Sequence, residues 1–218
     1  MNFGEQKNLV AFWLDDLSFG YFTEAQIERW LNQAQREVQK MLLQAGENFY
    51  LKVAYTTLVA NQGDYALPDD FLKVQRLELV NQGTFPNEDT TELDNITLSQ
   101  KNIAGNNTGT PSFFYLTKNR LVILPTPDSA KRINLYYSQK VSDLTADGET
   151  MDIPEQYHEF PCVLAAIDGL LKDGRDPTPM LEKRNYYKEM LEEDAEDREE
   201  NQARGIVVTE DDGYGVLF

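Results

Sequence analysis

The one histidine, His158, stands four residues before the one cysteine, Cys162. On a helix that spacing puts both on one face, and an imidazole beside a thiol is the pairing that generates a thiolate nucleophile. Nothing nearby completes an active site. The simpler reading is a small core thiol next to a half-buried imidazole at a helix start. Carboxylates are the other possible source of chemistry. Asp15 with Asp16, Asp69 with Asp70, and the Glu192-Glu193-Asp194 run could hold a divalent cation or divide acid and base roles. Side chains of adjacent residues diverge on a helix or strand, however, and Asp69-Asp70 after Pro68 reads as turn or cap chemistry. No phosphate loop, dinucleotide fingerprint, zinc-protease motif or nucleophile elbow occurs. The lone cysteine excludes an internal disulfide and a thiolate cluster. The expectation is therefore no catalytic residue, no metal and no cofactor.

Acids outnumber bases, 37 Asp and Glu against 20 Lys and Arg, giving a net charge of −17. A protein that grips nucleic acid neutralises phosphates with cations, and this one repels them. The acidity reads either as a solvated surface or as useful in itself, where DNA must pass close by without sticking. The 11 Tyr, 11 Phe and 2 Trp lack the interleaved cations of a base-stacking platform. That leaves core packing and protein contacts as their use. With 41% hydrophobic and 26% charged residues, the chain can bury a sizeable core. The opening residues carry neither a basic stretch nor a pure apolar run, so no signal peptide is expected. No apolar run approaches the roughly 18 residues of a membrane span. These features point to a soluble protein of a reducing cytoplasm, or of a particle assembled there.

The groups above need elements to place them. Ile27, Trp30, Leu31, Ala34, Val38, Met41, Leu42 and Ala45 recur at helical intervals. Thr23 and Gln26 form a capping box ahead of that stripe, Phe22 can staple onto Ile27, and Gly46 stops the helix. Leu9, Val10, Trp13, Leu14 and Leu17 predict a shorter helix before it, ended at the turn around Gly20. From about Phe49 the period changes to two: LKVAYTTLV, LKVQRLELV, SFFYLT, RLVILP and INLYYSQ read as strands. SFFYLT and RLVIL are joined by Lys118-Asn119 as a hairpin. ANQGDYALPDDF, NQGTFPNEDTTELDN and NIAGNNTGTP read as connections and surface loops. After Pro154 the helical period returns through Tyr157, Phe160, Val163, Leu164, Ile167, Leu170 and Leu171 to Gly174. Pro177 or Pro179 opens a last helix with Leu181, Tyr187, Met190, Leu191 and Ala195 on one side and an almost wholly charged second half.

The predicted fold is α+β, mainly α: a four-helix bundle interrupted by a small antiparallel β insert, with an extended C-terminal arm. Residues 1–48 with 149–204 make the bundle, 49–148 the insert, and 205–218 the arm. The arm is the informative oddity. Ile206, Val207, Val208, Tyr214, Val216, Leu217 and Phe218 flank an acidic turn, and apolar residues in such a place gain only when something covers them. It either folds back on its own domain or docks on a partner by strand addition or by inserting its last aromatic.

At this point the chain resembles a known group. WLNQAQREV, AYTTLVANQGDYALPDDFLKVQRLEL, GTPSFFYL, NRLVILPTPDSAKRINLYY and IPEQYHEFPCVLAAIDGLLKDGR follow the order seen in head-to-tail adaptors, or connectors, of short-tailed bacteriophages, including the lower-ring tail tubular proteins. The resemblance covers nearly the whole chain and rests on loose consensus patterns, not on catalytic signatures. It implies a homo-oligomeric, dodecameric ring in the virion neck, assembled in the host cytoplasm. The helical part would build the ring, the arm would reach the portal protein, and the β region would face a downstream nozzle or tail-hub protein. DNA would pass through the channel without specific binding, and no membrane is involved. The alternatives are a tail-proximal ring or decoration protein that never touches the portal, and a cell-wall hydrolase. The hydrolase would need a buried acid/base pair that these residues do not supply.

Overall fold

Asn2 and Glu5 exchange side-chain and main-chain bonds, Glu5 N–H to Asn2 Oδ1 at 2.8 Å and Asn2 N–H to Glu5 Oε2 at 2.9 Å. This capping box starts helix α1 (Phe3–Trp13). The computed structural model describes residues 1–45, 50–85, 87–102 and 107–203. In the loop after α1 the Asp16 carboxylate accepts the N–H groups of Gly20, Tyr21 and Phe22 at 2.7–2.9 Å. Thr23 N–H then donates to Gln26 Oε1 at the start of α2 (Glu24–Ala45). Ile27, Leu31, Ala34, Val38 and Leu42 of α2 are buried, as their spacing predicts.

Helix α3 (Phe160–Asp173) ends at Gly174, whose φ of +72° is a conformation glycine adopts freely. Its residues are buried almost all the way round, because it contacts α1, α2 and α4 (Thr178–Ala203) together. Gly169 lets α1 end against it: a Cβ there would stand 2.7 Å from Leu14 Cδ1. The carbonyl of Pro177 accepts from Met180 and Leu181 at the start of α4. Extended chain completes this apolar cluster, with Val141, Leu144, Met151 and Ile153 packed among the helices.

The strands are β1 (Leu51–Thr57), β2 (Asp64–Ala66), β3 (Phe71–Thr84), β4 (Asn87–Glu92), β5 (Asp94–Asn95), β6 (Thr108–Gly109), β7 (Phe113–Thr117), β8 (Arg120–Leu124), β9 (Thr126–Pro127) and β10 (Arg132–Gln139). One antiparallel sheet has the order β1-β10-β3-β4, a second β2-β8-β7-β5 with β5 parallel to β7, and β6 pairs with β9 in parallel. Leu77, Leu79, Ile133, Leu135 and Tyr137 of the first sheet meet Phe114, Leu121 and Ile123 of the second in an apolar cluster of their own. The β7–β8 hairpin turns through Lys118 and Asn119, with Thr117 opposite Arg120 and Lys118 at φ +42°.

This corrects the predicted mainly helical four-helix bundle with a small β insert. The chain is 38% helix and 30% strand in several sheets, so neither class dominates. The polar run read as a loop, NQGTFPNEDTTELDN, supplies the end of β3, all of β4 and β5. An edge strand with a solvated face needs no hydrophobic period. Polar pairs serve it instead, Arg76 with Glu92 and Asn81 with Thr91 across the strands, and Arg76 with Glu78 along β3. Likewise β2 lies within the predicted connection ANQGDYALPDDF. The first helix begins and ends earlier than its apolar residues imply, and Leu17 is 63% exposed.

Candidate functional site

His158 and Cys162 are close but not paired. His158 Nε2 lies 3.0 Å from the Ile153 carbonyl and Nδ1 3.1 Å from the amino group of Met1. A carbonyl can only accept, so Nε2 carries the proton and Nδ1 turns its lone pair to Met1. Cys162 Sγ faces the main-chain oxygen of His158 at 3.7 Å, and that oxygen also accepts Gln6 Nε2 at 3.2 Å. Burial pushes the thiol up to about 12, so the thiolate is strongly disfavoured. The arrangement ties α1 to the turn before α3.

The acids also disperse. Asp70 accepts Lys52 Nζ at 2.6 Å and Tyr137 Oη at 2.8 Å. The Lys52 bond, then that of Tyr137, holds its carboxyl below the usual range. Its neighbour Asp69 is exposed. Asp16 is lowered by the main-chain donors it caps, Phe22 foremost, while Asp15 faces Arg175 at 3.5 Å. Asp194 accepts Tyr157 Oη at 2.5 Å, with Glu192 and Glu193 exposed beside it. Among the described residues no group of three or more His, Cys, Asp or Glu could hold a metal ion. No helix among them is long and apolar enough to cross a membrane.

Two buried polar arrangements went unread in the sequence. Lys7 is 4% exposed, its Nζ 2.5 Å from Glu24, 3.1 Å from Glu28 and 2.5 Å from Asp147. Burial pulls its pKa down, but the bonds from Asp147, Glu24 and Glu28 more than offset that and hold it above the ordinary lysine value. The second arrangement is a ladder of carboxamides. Gln39 Nε2 donates to Gln139 O and its Oε1 accepts Val141 N–H. Gln35 Nε2 donates to Ser142 O, and Asn32 both donates to Leu144 O and accepts Leu144 N–H. The segment leaving β10 is thereby held along α2 as a strand would be held by a sheet. Asn32, Gln35 and Gln39 are three and four residues apart beside the apolar stripe, and that periodicity is the signal that could have found them. Where the chain enters the β region, Tyr50 O accepts Gln139 N–H at 3.0 Å, so entry and exit are bonded to each other.

The residues expected to dock on the portal, Ile206, Val207, Val208, Tyr214, Val216, Leu217 and Phe218, lie outside the described residues. Helix α4 leads to them: Leu191 packs in the helical cluster, and the helix continues to Ala203. Compared with known proteins, residues 1–209 match the model of the SU10 adaptor protein family. None of the curated proteins matches the chain.

Proposed function

The chain belongs to the SU10 adaptor family, a phage head-tail adaptor family, and on that premise we propose that it is a structural component of the virion neck. It forms a ring beneath the portal, joins the DNA-filled head to the tail and leaves a channel for DNA. The observation that carries this reading is the extent of the match, which runs from α1 through the end of α4. The helical layer builds the ring, the two-sheet region faces the tail protein, and the arm from Gly205 to Phe218 docks on the portal. Ile206, Val207, Val208, Tyr214, Val216, Leu217 and Phe218 are its contact residues. Heterologous contacts between copies close the ring if the rotation between subunits fits, and many arms acting together hold the portal tightly even where each is weak.

Co-sedimentation with DNA-filled, tailless heads tests the reading. Full-length protein is expected to pellet with portal-bearing heads, and failure to do so overturns the adaptor role. Among the described residues neither apolar cluster extends past Leu191, so deletion of residues 205–218 is expected to leave both intact. The truncated protein is expected to stay folded and to lose attachment by about 10²-fold or more. Equal binding by the truncated chain would move the dock to the helical layer.

A further inference from the structure

A groove of about 640 Å³ runs between the second half of α2, the start of β3 and the segment after β10. Its floor is apolar, formed by Leu43, Leu72 and Val141, and Leu72 is 41% exposed. Its rim is basic: Lys40, Lys73, Lys140 and Arg36 line it, and no acid does among the described residues. In a chain with nearly two acids for every base, that concentration is unusual. Arg36 is engaged by Asp143, whereas Lys40 and Lys140 have no ion-pair partner among the described residues. An apolar floor with a cationic rim fits an extended peptide carrying both β-branched and acidic residues.

This chain contains such a peptide. Ile206-Val207-Val208-Thr209-Glu210-Asp211-Asp212 sets three aliphatic residues immediately before three acids. The acidic second half of α4 has no comparable apolar run, so it suits the rim but not the floor. We propose that the groove of one copy receives residues 206–212 of a second copy, the aliphatic residues on Leu43, Leu72 and Val141 and the acids toward Lys40, Lys73 and Lys140. Helix α4 favours delivery to a neighbour. Asp194 is bonded to Tyr157 and the helix continues nine residues beyond it, about 13 Å, before the segment begins. This rests on the ring reading and narrows its portal contacts: Ile206, Val207 and Val208 are reassigned to the adjacent subunit, and Tyr214, Val216, Leu217 and Phe218 remain for the portal.

Zero-length carbodiimide cross-linking of full-length protein tests it, using equal parts of unlabelled and ¹⁵N-labelled chain at the highest soluble concentration. The expected product joins Lys40, Lys73 or Lys140 to Glu210, Asp211 or Asp212, with half of the linked peptides of mixed isotope. Links confined to a single isotope, or none between these segments, would overturn the proposal. Lys40→Glu with Lys140→Glu is expected to weaken self-association about tenfold by sedimentation velocity. Adding Asp211→Lys and Asp212→Lys to the same chain should restore it, and a fold defect would not be rescued in this way. The head co-sedimentation separates the two ideas. Attachment without the cross-link leaves the adaptor and removes the clasp, while the cross-link without attachment does the reverse.

Discussion

The Cys162 thiol meets the main-chain oxygen of His158 and not its imidazole, and each residue has a structural task. A thiol buried to 0% exposure, with its ionisation pushed up to about 12, reacts only when the core opens. Cys162 in native protein is therefore expected to react with an aromatic disulfide reagent on the order of a thousandfold more slowly than in denaturant. Rapid native labelling would show a thiol far more accessible than this packing allows. Asp70 gives a second residue-scale prediction. Its folded pKa lies below the ordinary value of 3.8, through Lys52 and then Tyr137, so the folded state binds fewer protons there than the unfolded chain. That stabilisation is complete above about pH 3.8 and is lost as pH falls through the lower folded value. Asp70→Asn should accordingly destabilise at pH ~6 and differ less from the parent at pH ~3, as read by urea midpoints. The half-exposed Lys52 keeps the effect modest. Glu159, held down by Lys183 and Tyr187, acts with the same sign. Asp168, raised by burial and by Glu37, acts with the opposite one.

The carboxamide ladder is where elements depend on one another. Asn32→Leu would leave both the N–H and the carbonyl of Leu144 without their partner in a buried setting. The expected cost is about 2–5 kcal/mol, from two unpaired main-chain groups. It should be seen as a lower urea midpoint at unchanged slope. A loss below about 0.5 kcal/mol would mean that water replaces the pairing. The same ladder explains what could and could not be read in advance. The burial of Ile27, Leu31, Val38, Phe160, Val163 and Ile167 was legible, because a face packed against other helices must be apolar at helical intervals. The Lys118-Asn119 hairpin was legible from its length. Strand β4 was not, since NEDTTE carries no periodic signal when most of its side chains face water. Nor was the Lys7 cluster, which joins α1 to Glu24, Glu28 and Asp147 and appears only once the fold brings them together. Of the site, the separate tasks of Asp69 and Asp70 followed from adjacency, whereas the basic groove draws on three distant segments and has no local signature.

At the scale of the molecule the net charge of −17 sets behaviour toward polyanions. In the proposed ring, a channel lined by such subunits would offer DNA few cations to pair with. Purified protein is expected to show no retardation of duplex DNA at physiological salt, and tight, salt-sensitive binding would count against a passive conduit. The two apolar clusters sit at either end of a short connection: Tyr50 enters the β region, Gln139 leaves it, and the two are bonded. Beyond Gln139 the exit segment lies along α2 through the bonds of Gln39, Gln35 and Asn32, in reverse order of sequence. A pull on the sheets along that segment loads all these bonds in shear, so none can yield before the others. A pull away from α2 would instead peel them one at a time, Gln39 first. By this geometry the junction is mechanically anisotropic, stiffer to axial traction than to lifting, and a chain held by its helices would transmit tension along one direction while still letting its sheets tilt.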